Sequence, residues 1–352
     1  MRIAQLVSNF HPVRETFNKA IGSHVAWLTN GLVSRGHEVH LFASSDSQTK
    51  AKLHSDTISL YGQNLSEDIL RYYMLLNISQ CYGFAQKNCD IVHSHYNLLS
   101  SFLSHASPIP TVISLHSPIT EKIRPLLMHF KNERYISFTL AQRKQMPELN
   151  WYANIYHGVD TKHFALNETP EDYFLYLGRI TEDKGVHLAI EAAKKAGVNL
   201  RIAGVSYPGE GYWQRAVEPH IDGDNIRFFG EATYLSKVSL YQGAKALLFP
   251  TQAEEVFGYV MIEAMSCGTP IIGYDRGSVS EIVKHGQTGY VVSSVEEMVD
   301  AIKKIDSIDR KKVRQRAEAY FSVEKMVKGY ERVYKRVLEE VKFKNARKNP
   351  TE

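Results

Sequence analysis

Short apolar runs and longer amphipathic stretches alternate from one end of this sequence to the other, an order that admits few folds. Residues 3–7, 39–43, 91–93 and 112–115 are short, mainly apolar runs bounded by polar or turn residues, the pattern of strands buried on both faces. Between the first two, residues 22–35 carry Val25, Leu28, Leu32 and Val33 at helical spacing and stop at Gly36. Strand, helix, strand in that order predicts a parallel βαβ unit. After the polar joint Asn167-Glu168-Thr169-Pro170-Glu171-Asp172 the pattern restarts, with strands expected at 173–177, 200–203, 226–229, 246–249 and 270–273 and a helix at 186–195. A length of 352 residues is enough for about two domains. The expected division is 1–166 and 167–322, with a final helix over 323–344 packing back on the first domain through Met326, Val327, Tyr330, Val333, Tyr334 and Val337. The fold class is therefore α/β, two Rossmann-like domains whose ligands sit beyond the carboxyl ends of parallel strands, in the cleft between the sheets.

Composition excludes several functions. A net charge of 42 − 38 = +4 is too small a surplus for a nucleic-acid partner. Three cysteines, Cys81, Cys89 and Cys267, make no disulfide framework and no C-x-x-C pair, which points to buried thiols in a reducing compartment. The start of the chain has no signal-like apolar region, and no apolar run approaches the length of a membrane span, so a cytoplasmic location is expected. The stretch 122–144 interleaves Lys122, Arg124, Lys131, Arg134, Arg143 and Lys144 with Leu126, Leu127, Met128 and Phe130. A solvated helix with a core face is the favoured reading, and a weak peripheral membrane contact the alternative.

Two segments carry chemistry. In 255–270, Glu255 precedes a helix, Gly258 allows close approach at its first turn, and Glu263 follows among Tyr, Val, Met, Ile and Ala. A helix start attracts anions, and carboxylates accept hydrogen bonds from sugar hydroxyls. An unpaired carboxylate in such an apolar run is costly, which favours a functional role over a surface glutamate pair. In 176–185, Gly178, Arg179, Lys184 and Gly185 follow a strand and precede a helix, and an arginine fork with a lysine suits a diphosphate.

Glu255 and Glu263 within an F-G…E-A-M-x-C-G-T-P stretch resemble the nucleotide-sugar signature of glycosyltransferase family 4, and Gly178-Arg179 with Lys184-Gly185 is similar to that family's diphosphate clamp. Phe42-Ala43-Ser44-Ser45-Asp46-Ser47, Ala141-Gln142-Arg143, 147–151 and His157-Gly158-Val159-Asp160 resemble the avilamycin-type subgroup. The resemblance implies a GT-B fold and a hexose transferred with retention from a nucleotide diphosphate sugar (UDP preferred, GDP next) to a hydroxyl acceptor. It implies no metal and no cofactor beyond the sugar nucleotide. It also implies roles: Arg179 and Lys184 on the leaving diphosphate, Glu263 on the ribose, Glu255 on the donor sugar with Phe257, Gly258, Tyr259 and Val260 beside it. His116 matches the family's active-site histidine. In the N-terminal loop, Gly22 is expected on the phosphate side, with Ile21, His24 and Arg143 as acceptor contacts. A nucleotide-sugar epimerase or hydrolase, or a non-catalytic nucleotide-sugar binder, are the alternatives.

Three patterns are read as decoys. Asp222-Gly223-Asp224 matches a metal-binding D-x-D but has the composition of a turn. His93 and His95 alternate on one strand with no third ligand in view, and Gly209-Glu210-Gly211 lacks the third glycine of a dinucleotide fingerprint.

Overall fold

The structure is a computed structural model that describes residues 1–16, 19–206 and 211–348. Gly209 and Glu210, part of the Gly-Glu-Gly loop, lie outside the described residues. The chain divides into two units, one formed by Met1–Gly158 with the chain from Val323 onward, the other by Val159–Ser322.

The first unit has a seven-stranded sheet of β1 (Arg2–Leu6), β2 (Glu38–Phe42), β3 (Lys52–His54), β4 (Ile91–Ser94), β5 (Thr111–Ser114), β6 (Tyr135–Ser137) and β7 (Trp151–Asn154). Its order is β3-β2-β1-β4-β5-β6-β7, with every pair parallel. The second unit has β8 (Phe174–Leu177), β9 (Leu200–Ala203), β10 (Ile226–Phe228), β11 (Leu247–Phe249), β12 (Ile271–Tyr274) and β13 (Gly289–Val292) in the order β10-β9-β8-β11-β12-β13, again all parallel. In both sheets the order reverses beside the first strand. This leaves a crevice at the strand ends between β1 and β4, and another between β8 and β11, where α/β sheets bind ligands.

The terminal helix Val323–Lys348 belongs to the first unit. Its Met326, Val327, Tyr330, Val333, Tyr334 and Val337 share one core with Ile3, Val39, Ile91, Val112 and Ile136 of the sheet. Burying such side chains contributes roughly 1.5–3 kcal/mol each, so this helix covers a sheet face that would otherwise lie open. The units separate at Gly158/Val159, upstream of the polar joint read in the sequence. Arg314 is the reason: it donates to the carbonyls of Thr161, Phe164 and Ser266, while Arg310 Nε donates to that of Asn167 at 2.6 Å. Those bonds tie residues 161–167 to the second unit.

The basic stretch 122–144 is not one solvated helix. It breaks into the helix Arg124–His129, strand β6 and the helix Leu140–Gln145, because Tyr135 and Ile136 are fully buried and pair with β5 and β7. The D-x-D match is a turn: Asp222 Oδ1 accepts from the amides of Asp224 and Ile226, both at 2.9 Å. All three cysteines are free and buried. Among the described residues, no helix is long and apolar enough to cross a membrane.

Candidate active site

In the second unit the two chemistry-bearing segments meet at the crevice between β8 and β11. The chain leaves β8 through Gly178 and Arg179, makes a single turn at Glu182–Lys184, and enters the helix Val186–Ala196 through Gly185. Gly185 has φ +73, and a Cβ there would lie 2.1 Å from the Pro250 carbonyl oxygen, so only glycine brings these loops together. The carbonyl of Asp183 accepts from the Gln252 amide at 2.8 Å, and the Gln252 side chain donates to the carbonyl of Glu182 at 3.0 Å. The loop after β11 is held in turn by Ser278, whose amide donates to the Glu255 carbonyl at 3.0 Å and whose hydroxyl donates to that of Phe257 at 2.8 Å.

This stitching places Lys184 Nζ 2.6 Å from Glu255 Oε2, with both side chains 18% exposed. Arg179 stands half-exposed beside them, 3.8 Å from Asp183 Oδ2. The helix Tyr259–Ser266 begins next door. Its N-cap is Gly258, at φ 76, which has no side chain of its own to cap it. Phe257 is buried, while Gly258, Tyr259 and Val260 are partly exposed. The arrangement offers two cations, a carboxylate and a helix start whose N-cap is glycine, suited to an anion with hydroxyls attached.

Glu263 is different from the expectation. It is not an unpaired carboxylate: Lys237 Nζ lies 2.5 Å from its Oε1, and the Tyr241 hydroxyl donates to its Oε2 at 2.9 Å. The Lys237 and Glu263 side chains are 9% and 7% exposed. The cost of burying Glu263 is therefore met inside the protein, and burial alone does not argue for a ligand. Lys237 and Tyr241 were not legible as site residues, although their spacing of four puts them on one face of the helix Tyr234–Gly243. The only signal was that a glutamate in an apolar helix needs a partner. These two bonds occupy two of the carboxylate's roughly four lone-pair sites.

In the first unit, the crevice between β1 and β4 gathers histidines. His24 lies in the first turns of the helix Ala20–Ser34, His93 on β4, His95 just past it, His116 past β5 and His157 past β7. The reading of His93 and His95 as a pair with no third ligand is corrected here. His24 and His116 stand beside His95, with ring centroids 5.6 and 5.2 Å away, brought there by separate strand ends that no local spacing reveals. His24 is fully buried, Ile21 exposed and Gly22 buried in the helix's first turn. Arg143 is partly buried and donates to the Ser137 hydroxyl at 2.8 Å. His116 is positioned through its backbone: its amide donates to Asn97 Oδ1 at 2.5 Å, and Asn97 is the one described non-glycine residue with positive φ, at 53°. Burial pulls the His116 imidazole down to about 3, so the ring is neutral at neutral pH.

Comparison with known proteins follows this geometry. Residues 21–162 match the model described as Glycosyltransferase Family 4, and residues 159–320 match that described as Glycosyl transferases group 1. N-acetyl-alpha-D-glucosaminyl L-malate synthase of Bacillus anthracis is 24% identical over an alignment that spans 90% of this chain and 93% of that protein. AviGT4, a glycosyltransferase of avilamycin A biosynthesis, superposes with a TM-score of 0.71 at 21% identity, over 96% of this chain and 98% of that one. Anabaena HepE in complex with UDP-glucose superposes with a TM-score of 0.68 at 16% identity, over 97% and 99%. With one model on each unit and the same two-sheet architecture in solved relatives, the chain belongs to the family 4, group 1 glycosyltransferases of GT-B fold.

Proposed function

We propose that this glycosyltransferase moves a hexose from a nucleotide diphosphate sugar to a hydroxyl acceptor with retention of anomeric configuration and without a divalent metal in the transfer step. The observation that carries the reading is the Lys184–Glu255 pair with Arg179 at the β8/β11 crevice. Breaking a sugar–phosphate bond builds negative charge on the diphosphate and positive charge on the ring. Cations fixed at the first stabilise the transition state more than the ground state, which is the binding that raises turnover. Arg179 is half-exposed and open to a phosphate, whereas Lys184 starts on Glu255, so the donor draws it across and leaves Glu255 to accept from the sugar hydroxyls. Phe257, Gly258, Tyr259 and Val260 supply the helix start, and Glu263, already oriented by Lys237 and Tyr241, accepts from the ribose.

A neutral His116 donates or accepts a hydrogen bond and brings no charge, which suits the sugar contact the resemblance implies. In this reading Gly22 keeps the phosphate side and Ile21, His24 and Arg143 the acceptor side, His24 being fully buried behind the others. The acceptor's proton passes to the departing diphosphate oxygen on the same face as the new bond. UDP-sugars are the first choice of donor, a preference supported by HepE, whose complex holds UDP-glucose.

Thermal stability in EDTA against UDP-, GDP-, ADP- and dTDP-sugars tests the reading. A donor at 100 times its Kd adds about 2.7 kcal/mol to the native state. One nucleotide is expected to stabilise the wild type and to lose most of that effect in Lys184→Ala. No stabilisation by any of them, or a product with inverted configuration, refutes it.

A further inference from the structure

Five histidines of the first unit form a ring cluster, and the transfer reaction as proposed gives no part to His93, His95 or His157. Centroid separations are 4.1 Å for His93–His95, 5.2 Å for His95–His116, 5.3 Å for His24–His116 and 4.5 Å for His24–His157. Burial lowers all five, and their mutual proximity lowers His24, His93, His95 and His157 further, so these rings are neutral at neutral pH. Among the described residues, no carboxylate forms an ion pair with His24, His93, His95 or His116.

Hydrogen bonding decides which nitrogens are lone pairs. The Tyr334 hydroxyl accepts from Gln5 Nε2 at 3.1 Å, and its own proton goes to His93 Nδ1 at 2.6 Å. His93 Nε2 then carries a proton and donates to the Ser114 hydroxyl at 2.8 Å, so both nitrogens of His93 are used. His95 Nε2 lies 3.1 Å from Gln5 Oε1, an atom that only accepts, so this nitrogen holds the proton of a neutral ring. His95 Nδ1 is then the acceptor of its 2.9 Å hydrogen bond with His116 Nε2, whose proton moves to His116 Nδ1 when an ion takes the place of that bond. His24 Nδ1 is 2.7 Å from His157 Nδ1, while His24 Nε2 is buried without a hydrogen-bond partner among the described residues. A buried nitrogen left unmatched costs on the order of 1–3 kcal/mol; with the proton of the His24–His157 contact on His24 Nδ1, His24 Nε2 is a lone pair, and a metal ion that takes it removes that cost.

We propose that His24, His95 and His116 form a site for a borderline transition-metal ion, with Zn²⁺ the best fit and one coordination position left open. One donor nitrogen from each lies within 4.8 Å of the others. Zinc–nitrogen bonds of about 2.0–2.1 Å in a tetrahedral site need nitrogens about 3.3 Å apart. The His95–His116 edge at 2.9 Å then opens by a few tenths of an ångström, and the edges to His24 close by side-chain rotation. Three imidazoles with no carboxylate select zinc, copper or nickel over magnesium or calcium. The bond from His95 to the Gln5 amide oxygen is the outer contact that metal-bound histidines use to hold their tautomer and orientation. The ion has no step in sugar transfer, and a coordinated His116 is withdrawn from the sugar.

The experiment uses the full chain without a polyhistidine tag, stripped with EDTA and desalted. Zn²⁺ binding by equilibrium dialysis with elemental analysis should give one ion per chain. His24→Ala and His95→Ala should each weaken it at least tenfold. His54→Ala, which breaks the separate His40–His54 contact of 2.8 Å, should leave it unchanged. Loading the wild type with Cu²⁺ counts ligands without any substitution, and three nitrogens are expected in the electron paramagnetic resonance spectrum. No retained ion, fewer than three nitrogens, binding that survives both substitutions, or binding lost in His54→Ala overturns the proposal. Donor binding is measured in EDTA, so this site and the nucleotide-sugar reading fail independently.

Discussion

Replacing Lys237 by methionine separates structural from ligand-binding roles at Glu263. Lys237 Nζ and Glu263 Oε1 are 2.5 Å apart, and both side chains are under a tenth exposed. Methionine keeps an unbranched apolar stem of similar length and removes only the cation. Glu263 is then a buried carboxylate held by the Tyr241 hydroxyl alone. Removing one partner of a buried pair costs about 3–5 kcal/mol, because the remaining charge stays uncompensated. For a domain of this size that lowers the melting temperature by roughly 6–20 °C. Adding Glu263→Gln removes the charge while keeping an acceptor for Tyr241, so the double variant should recover more than half of the loss. Urea unfolding of the wild type, both single variants and the double variant closes the cycle, and the coupling should be about 2 kcal/mol or more. Lys237→Met costing under about 1 kcal/mol, or additive single effects, would refute the claim that the pair is what makes Glu263 tolerable. Donor affinity measured well below every melting temperature then isolates the ribose contact: Glu263→Gln should weaken it more than Lys237→Met.

Other perturbations follow from the same geometry. Lys184→Ala should lower turnover by about 10²–10³, as for loss of one preorganised charge donor, and a steady-state assay within a few-fold of wild type removes this lysine from the clamp. Gly185→Ala forces a side chain into left-handed backbone 2.1 Å from the Pro250 carbonyl, so a loss of at least about 2 kcal/mol is expected in urea unfolding together with loss of donor binding. The buried histidines make stability depend on pH with a definite sign. Their folded values lie below the ordinary 6.5, so their contribution is fully present above about pH 6.5 and is lost as pH falls towards the folded values. Each ring that stays neutral costs about 1.4 kcal/mol per pH unit in that window. Urea midpoints measured in EDTA from pH 8 to pH 4.5 should fall steeply, and a flat profile contradicts the neutral cluster.

The sheets and their central strands were legible because strands buried on both faces are mainly apolar, and 3–7, 39–43, 200–203 and 270–273 are, with Gln5, His40 and Arg201 as the polar interruptions. β3, β6, β7 and β13 were not legible: each is three or four residues long, and Lys52, Ser137, Asn154 and Gly289 leave no apolar run to read. The diphosphate-type loop and the Glu255 helix start could be read locally because a glycine at positive φ, a cation and a helix cap are near neighbours in sequence. Sequence alone thus determined the βα order, the two arrays and the family. Only the tertiary structure decided which charges are spent on one another. Lys184 meets Glu255, Lys237 meets Glu263, and His24 and His116 meet His95, each across a gap in sequence closed by strand order. An ion pair or a cluster of lone pairs depends on distances of a few ångströms, and those are set by how strands and helices pack, which no spacing along the chain encodes.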